Sequence, residues 1–394
     1  MLDLSRQYEP LRAELLDAIA HVIDKQQFIL GESVSAFERA AAAQLGVAHA
    51  LGCSSGTDAI WLALAATGIG TRVAHFGAGS SGKGHGMTVV TTPFSFFASV
   101  SAILRAGATP VLADIDPVTF NLSPAAVETV LDGPRLDGPR GEAACAILPV
   151  HLYGQCADSF SDLARARGLK IVEDAAQAWG AESSGVKAGG LGDAAAFSFY
   201  PTKNLSAAGD AGMVTTNSDE VAERVKMLRQ HGMRRRYYHD ELGWNARMDG
   251  LQGAILSVKL KYIDGWSEAR RAVAARYDAL FTAAGLAEAG PYPARGVVLP
   301  REKAGNRHVW HQYVIRVPRR NALRDFLAAR SIGSEVYYPI PLHMQEALKD
   351  LGYAEGNFPE AERAAREVLA LPIFPELRED EQQIVVAAIA EFLS

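Results

Sequence analysis

Between Thr88 and Leu205 the chain alternates short β-rich runs with helical stretches, and this alternation constrains the fold more than any other feature of its 394 residues. The spacing predicts strands over 88–91, 109–113, 146–150, 170–173 and 194–199, with helices over 97–105, 124–131 and 158–166 between them. Strands separated by helical crossovers imply an α/β fold with a mostly parallel, doubly wound sheet. Upstream, Leu11, Leu15, Ile19, Val22 and Ile23 fall at helical spacing and predict an amphipathic N-terminal arm. A helix over 32–44 and a strand over 48–53 follow, then the small-residue turn Ser54-Ser55-Gly56-Thr57-Asp58 and a strongly helical run from Ala59. Beyond Met248 the pattern changes to a long helical region over 251–281, bent near Gly265, and a Gly/Pro-rich connector over 285–300. A strand over 311–317, a helix over 321–330, a strand over 335–338 and a final helix from Glu379 complete the chain. We therefore expect a large domain over 1–250 and a small α+β domain over 251–394.

Several functions are disfavoured at once. A formal net charge of −6 argues against general nucleic-acid binding. The start has no apolar signal core and no later run is long enough to span a membrane, so a cytoplasmic protein is expected. Cys53, Cys145 and Cys156 lack C-x-x-C spacing and read as bystander thiols, so neither zinc nor a disulfide is expected.

The chemistry concentrates at strand ends. The run Ala194-Ala-Ala-Phe-Ser198-Phe199 reads as a buried strand closing in Tyr200-Pro201-Thr202-Lys203, which delivers a lysine to the ligand crevice of an open sheet. Ile171-Val-Glu173-Asp174 places an acid at another strand end, where it could equally cap the next helix. Ser55, Gly56 and Thr57 offer hydroxyls and backbone N–H groups to a phosphate at a helix start, or simply cap that helix. Pyridoxal phosphate needs a lysine, an acid on its ring nitrogen, a planar group over the ring and a phosphate cup. Lys203, Asp174, Phe96, and Gly56 and Thr57 with Ser198 fill those four roles.

These motifs, with Thr92-Pro93-Phe94-Ser95-Phe96, Asp114-Ile-Asp116-Pro117, Glu173-Asp174-Ala175-Ala176-Gln177 and Gly243-Trp-Asn245-Ala-Arg247-Met248, occur in the order found in the DegT/StrS family of sugar aminotransferases, which the chain resembles over nearly its whole length. The resemblance implies a fold-type I, pyridoxal-phosphate-dependent enzyme in which Lys203 binds the cofactor covalently, Asp174 pairs with its ring nitrogen and Phe96 stacks on the ring. It further implies that Gln177 sits near the ring hydroxyl, that Ser55, Gly56, Thr57 and Ser198 hold the phosphate, and that Asn245 and Arg247 reach the neighbouring subunit of a homodimer with shared active sites. L-glutamate and a keto sugar nucleotide are the implied partners, with a lean to a 3-keto hexose in amino-sugar and polysaccharide biosynthesis.

By the same resemblance His308, Tyr338 and His343 line the sugar-nucleotide cleft. As bare residues, His308 and His311 are three apart, a weak metal pattern that packing explains more simply. Arg234-Arg235-Arg236 reads as a solvated basic face or as a diphosphate contact. Gly77-Ala-Gly79-Ser-Ser-Gly82-Lys83-Gly84 imitates nucleotide-binding glycine motifs, but Gly84 stands where a P-loop needs Ser or Thr, and a strand rather than a helix is expected next. It reads as a loop, longer than the family's usual turn. Asp114-Ile-Asp116 is similar to a metal-binding D-x-D, yet a strand-end turn is simpler. Two competing functions stand beside the aminotransferase: a non-catalytic pyridoxal-phosphate-binding regulator, and a nicotinamide-dependent sugar-nucleotide oxidoreductase built on the Gly77 loop.

Overall fold

The structure, a computed structural model, describes residues 2–70, 87–133 and 144–394. The Gly77–Gly84 stretch lies outside them. Seven strands form the main sheet: β1 His49–Cys53, β2 Thr88–Thr91, β3 Thr109–Leu112, β4 Ala144–Ile147, β5 Lys170–Asp174, β6 Ala194–Ser198 and β7 Gly212–Thr216. From edge to edge the order is β1-β7-β6-β5-β4-β2-β3. Strand β7 runs antiparallel to both β1 and β6, and the remaining pairings are parallel. This is the mostly parallel, doubly wound α/β sheet that the alternation predicts.

The two-residue period of a strand decides what each face receives. On β6, Ala194 and Ala196 enter the large core that also holds the helix Gly56–Ala66, while Ala195 and Phe197 enter a second core on the other side. There Phe197 and Phe199 pack edge-on against Trp179 and Phe37, at centroid separations of 5.1 Å for Phe197–Trp179 and 5.4 Å for Phe199–Phe37. Ser198, sharing the parity of the small alanines, therefore emerges on the side of the helix Gly56–Ala66. The same rule on β5 sends Val172 into the large core and aims Asp174 to that face, with Glu173 opposite. Glu173 accepts the N–H groups of Gly189, Leu191 and Gly192, each at 2.8 Å, and bonds His151 at 2.8 Å. One carboxylate organises a loop and its neighbour is left for the crevice.

Three expectations need correction. The long helical region is two helices, Gly250–Leu260 and Ile263–Ala283, and the break falls at Lys261 and Tyr262 rather than at Gly265. Hydrogen bonds that reach back only three residues, from Lys261 N–H to the Val258 carbonyl at 3.3 Å and from Tyr262 N–H to the Lys259 carbonyl at 3.0 Å, end the first helix, and Gly265 simply continues the second. The strand expected over 335–338 reduces to a single bridge between Glu335 and Ala370. Strand β7 was not anticipated: its glycine-rich approach reads as loop, although Gly212-Met-Val-Thr-Thr216 is wholly buried. The C-terminal elements gather around the antiparallel pair Tyr313–Arg316 and Val368–Leu371, with Tyr277, Phe281 and Ile389 from flanking helices fully buried against it. No helix among the described residues is long and apolar enough to cross a membrane.

Strand β7 also brings Gly212 against the start of the helix Gly56–Ala66, where an added Cβ would collide with the Ser55 carbonyl and the Gly56 nitrogen. Backbone cannot give way as a flexible side chain can. Gly212→Ala should cost about 2 kcal/mol, read from urea unfolding. Gly265→Ala, whose Cβ would meet nothing within 4 Å, should be neutral or mildly stabilising.

Candidate active site

After Ser198 the chain turns sharply, with Lys203 N–H donating to the Tyr200 carbonyl at 2.8 Å. It then returns to β7 through Ala207 N–H on the Phe199 carbonyl at 2.8 Å and Phe199 N–H on the Ala211 carbonyl at 2.9 Å. The turn places the Lys203 amine among groups that desolvate it, and its pKa falls to about 8 although the Asp174 charge pulls the other way. A much larger fraction of this amine is neutral near pH 7 than of an ordinary lysine.

Asp174 is buried at the end of β5. Its Oδ2 accepts the Ser99 hydroxyl at 2.6 Å and its Oδ1 the Ala176 N–H at 3.2 Å, with Ser95 2.8 Å from Ser99 behind it. Burial raises the carboxyl pKa, and those two donors, then Lys203 and His151, oppose the rise. Such a carboxylate gains from any positive partner brought to it.

Gly56 opens its helix directly against Ser198, where a Cβ would stand 2.5 Å from the serine Cβ and 3.0 Å from its Oγ. Only glycine lets the helix start and the strand end close on each other here. Ser55 caps the helix by accepting the Asp58 N–H at 3.1 Å, and Thr57 follows within the first turn. The early N–H groups and the positive end of the helix dipole thus stand against the Ser198 side chain, a donor set suited to a phosphate.

Phe96 is 60% exposed, whereas Phe94, two residues earlier, is fully buried. Its ring lies 6.4 Å, centroid to centroid, from that of Tyr338. Gln177 bridges the next layer: its Oε1 accepts the Tyr153 N–H at 2.6 Å and its Nε2 donates to the Tyr338 hydroxyl at 3.1 Å. Burial pushes the Tyr338 hydroxyl pKa up, so it stays protonated. The exposed Phe96 ring, the buried carboxylate, the low-pKa amine and the donors at Gly56 and Ser198 are the groups that pyridoxal phosphate requires.

The remaining candidate residues make contacts of their own. Asn245 is exposed and bridges Gln230 through its backbone. Arg247 bridges Cys53, its Nε buried without a hydrogen-bond partner among the described residues. His308 is buried and stacked on Trp310 at 3.9 Å, its Nδ1 accepting the Trp310 N–H, and burial drives its pKa down to about 3. His343 is buried on Glu362 at 3.0 Å. Asp114 and Asp116 accept backbone N–H groups, Asp114 from Glu360 and Ala361 and Asp116 from Val118 and Thr119, as turn and cap residues do. Among the described residues no cluster of His, Cys, Asp or Glu is arranged to hold a metal. Arg234 pairs with Asp240 on an exposed hairpin.

Sequence reasoning missed Ser99, which the spacing leaves as one more helical serine. It also left out of the site His311, whose Nδ1 lies 3.2 Å from Asn204 Oδ1 next to Lys203. A polar residue in the first turn of a crossover helix is the signal that could have found Ser99.

The chain is similar to known proteins over nearly its whole length. The family model for DegT/DnrJ/EryC1/StrS aminotransferases matches residues 10–390. The "Pleiotropic regulatory protein" of Geobacillus stearothermophilus is 48% identical over 100% of this chain and 98% of its own length. The UDP-N-acetyl-3-dehydro-alpha-D-glucosamine 3-aminotransferase of Acidithiobacillus ferrooxidans is 38% identical over 100% of this chain and 97% of its own. The crystal structure of S. venezuelae DesV in complex with a ketimine intermediate superposes with a TM-score of 0.88 at 40% identity, covering 100% of this chain and 97% of the other.

A buried carboxylate with a raised pKa makes the fold more stable below the ordinary carboxylate range and costs stability as pH rises through the folded value. Asp174→Asn, which relieves that cost, should make the cofactor-free protein about 1 kcal/mol or more stabler near pH 7. The advantage should vanish below about pH 4, as followed by thermal melts across pH, while any transamination falls on the order of 100-fold or more.

Proposed function

The chain belongs to the DegT/DnrJ/EryC1/StrS aminotransferase family, and on that premise we propose that it moves the amino group of L-glutamate to a keto sugar carried by UDP or dTDP, using pyridoxal phosphate. The observation that carries the reading is the meeting of Lys203, its pKa lowered to about 8, with buried Asp174 and the Gly56–Ser198 cup on one face of the sheet. Pyridoxal phosphate, when bound, supplies an electron sink for the donor's α-carbon.

The residues divide the rest of the work. Ser55, Gly56, Thr57 and Ser198 hold the phosphate, Phe96 covers one ring face and Gln177 stands by the ring hydroxyl. Asp174, costly to keep charged alone, holds positive charge on the ring nitrogen. The Lys203 amine would hold the cofactor covalently, and its lowered pKa suits it to take up the proton that leaves the donor's α-carbon. Tyr338, Arg247, His308 and His343 are proposed on the substrate side. Tyr338 has the strongest support because its hydroxyl meets Gln177. A 3-keto hexose is favoured by the Acidithiobacillus relative's name.

We propose a cytoplasmic homodimer in which Asn245 and Arg247 serve the neighbouring subunit's site. Exposed Phe28, Ile29, Tyr200, Leu242 and Trp244 support a second copy as the cover. The regulatory reading has in its favour the name of the 48% identical relative. The name of the Acidithiobacillus relative favours turnover.

The visible spectrum separates these readings. The wild type should be yellow with pyridoxal phosphate, bleach on adding L-glutamate with release of 2-oxoglutarate, and regain colour with a 3-keto sugar nucleotide. Lys203→Ala should lose turnover by at least about 10³-fold. A yellow protein unmoved by glutamate would favour the regulator, and a colourless one would sink the cofactor assignment.

A further inference from the structure

The mechanism leaves a second buried lysine unused. Lys259, in the last turn of the helix Gly250–Leu260, is fully buried, and neither of its hydrogen-bond partners is a carboxylate. Its Nζ meets the Ser206 Oγ at 2.5 Å and the Tyr8 hydroxyl at 3.1 Å, with the Tyr8 and Trp266 ring centroids at 4.5 and 6.0 Å. Burial lowers its pKa to about 7. A lysine held at that cost, with its amine spent on two hydroxyls, is doing something that an apolar side chain could not.

The place of Ser206 shows what that is. It lies three residues beyond Lys203, in the return from β6 to β7. Seven residues before Lys259, on the same face of the same helix, Gln252 accepts the Ala208 N–H at 2.9 Å. One helix thus grips the return at Ser206 and Ala208, while Ala207 N–H is tied to Phe199. Tyr8, from the N-terminal arm, joins the grip by accepting from the Lys259 amine.

We infer that Lys259 is a positioning residue: through Ser206 it clamps the return behind Lys203 and fixes where the reactive amine points, and through Tyr8 it makes the N-terminal arm part of that clamp. The inference rests on Lys203 being the reactive amine.

The test compares full-length, cofactor-free wild type with Lys259→Met and Ser206→Ala. Two readouts are taken: amide hydrogen exchange over 203–208, and the pH midpoint of Lys203 labelling by trinitrobenzenesulfonate, mapped by mass spectrometry. In both variants exchange should quicken by about tenfold and the midpoint should move from near 8 towards the ordinary lysine value of 10.5. After reloading with cofactor, kcat should fall with KM for glutamate changed by less than about twofold. Unchanged exchange and midpoint, or a lower melting temperature with an unchanged midpoint, would overturn the inference. Should Lys259→Met not fold, Ser206→Ala, which removes one oxygen, decides by the same readouts. A wild type that fails to bind pyridoxal phosphate would sink the functional reading, while exchange and midpoint would still judge the clamp.

Discussion

The desolvation of one amine beside one buried carboxylate is the interaction on which the rest depends. Left in water, Lys203 would be protonated and Asp174 ionised, and neither would be suited to carbonyl chemistry. Partly withdrawn from water, the amine loses its proton more readily, and the buried carboxylate becomes costly to keep charged alone. The two shifts are complementary: a cationic ring nitrogen relieves the acid, and an amine with a pKa near 8 offers far more of its neutral, nucleophilic form near pH 7 than an ordinary lysine does. The fold sustains this only because Ser99 and the Ala176 N–H satisfy the carboxylate oxygens while the surrounding core excludes water.

Strand parity brings the pair together. Asp174 and Ser198 end adjacent parallel strands on the same face, since Asp174 lies opposite Ala196 in the ladder and Ser198 shares the parity of Ala196. The intervening alanines are small enough for the helix Gly56–Ala66 to lie across β6, and the bulky Phe197 and Phe199 are sent to the other core. A one-residue slip would aim Glu173 into the crevice and Asp174 at the loop around Gly189.

Much of this was legible in the amino-acid order. Apolar runs of four to six residues broken by helical stretches predict β2 to β6 because a parallel sheet buries both of its faces. Lys203 and Asp174 stand out because one lies in the turn that follows such a run and the other closes one. The rest depends on contacts distant in sequence. Ser99 matters only once its helix packs beside β5, and Lys259 only once residues 8, 206 and 259 meet. Strand β7 hides behind its glycines, which are there because Gly212 lies against the Ser55–Gly56 backbone. The helix break at Lys261 and Tyr262 carries no glycine or proline, so local chemistry alone points to the wrong place.

Among the described residues two lysines have a lowered pKa, Lys203 near 8 and Lys259 near 7, and the chemistry falls to the first because the second is sealed beneath Tyr8 and Trp266. Treating the protein with pyridoxal phosphate at a series of pH values, reducing with borohydride and mapping the modified peptide tests that assignment directly. The account predicts a label on Lys203 whose initial rate levels off above about pH 8. A label on Lys259 or another lysine, or a Lys203 rate still climbing towards pH 10.5, the ordinary lysine value, would contradict it.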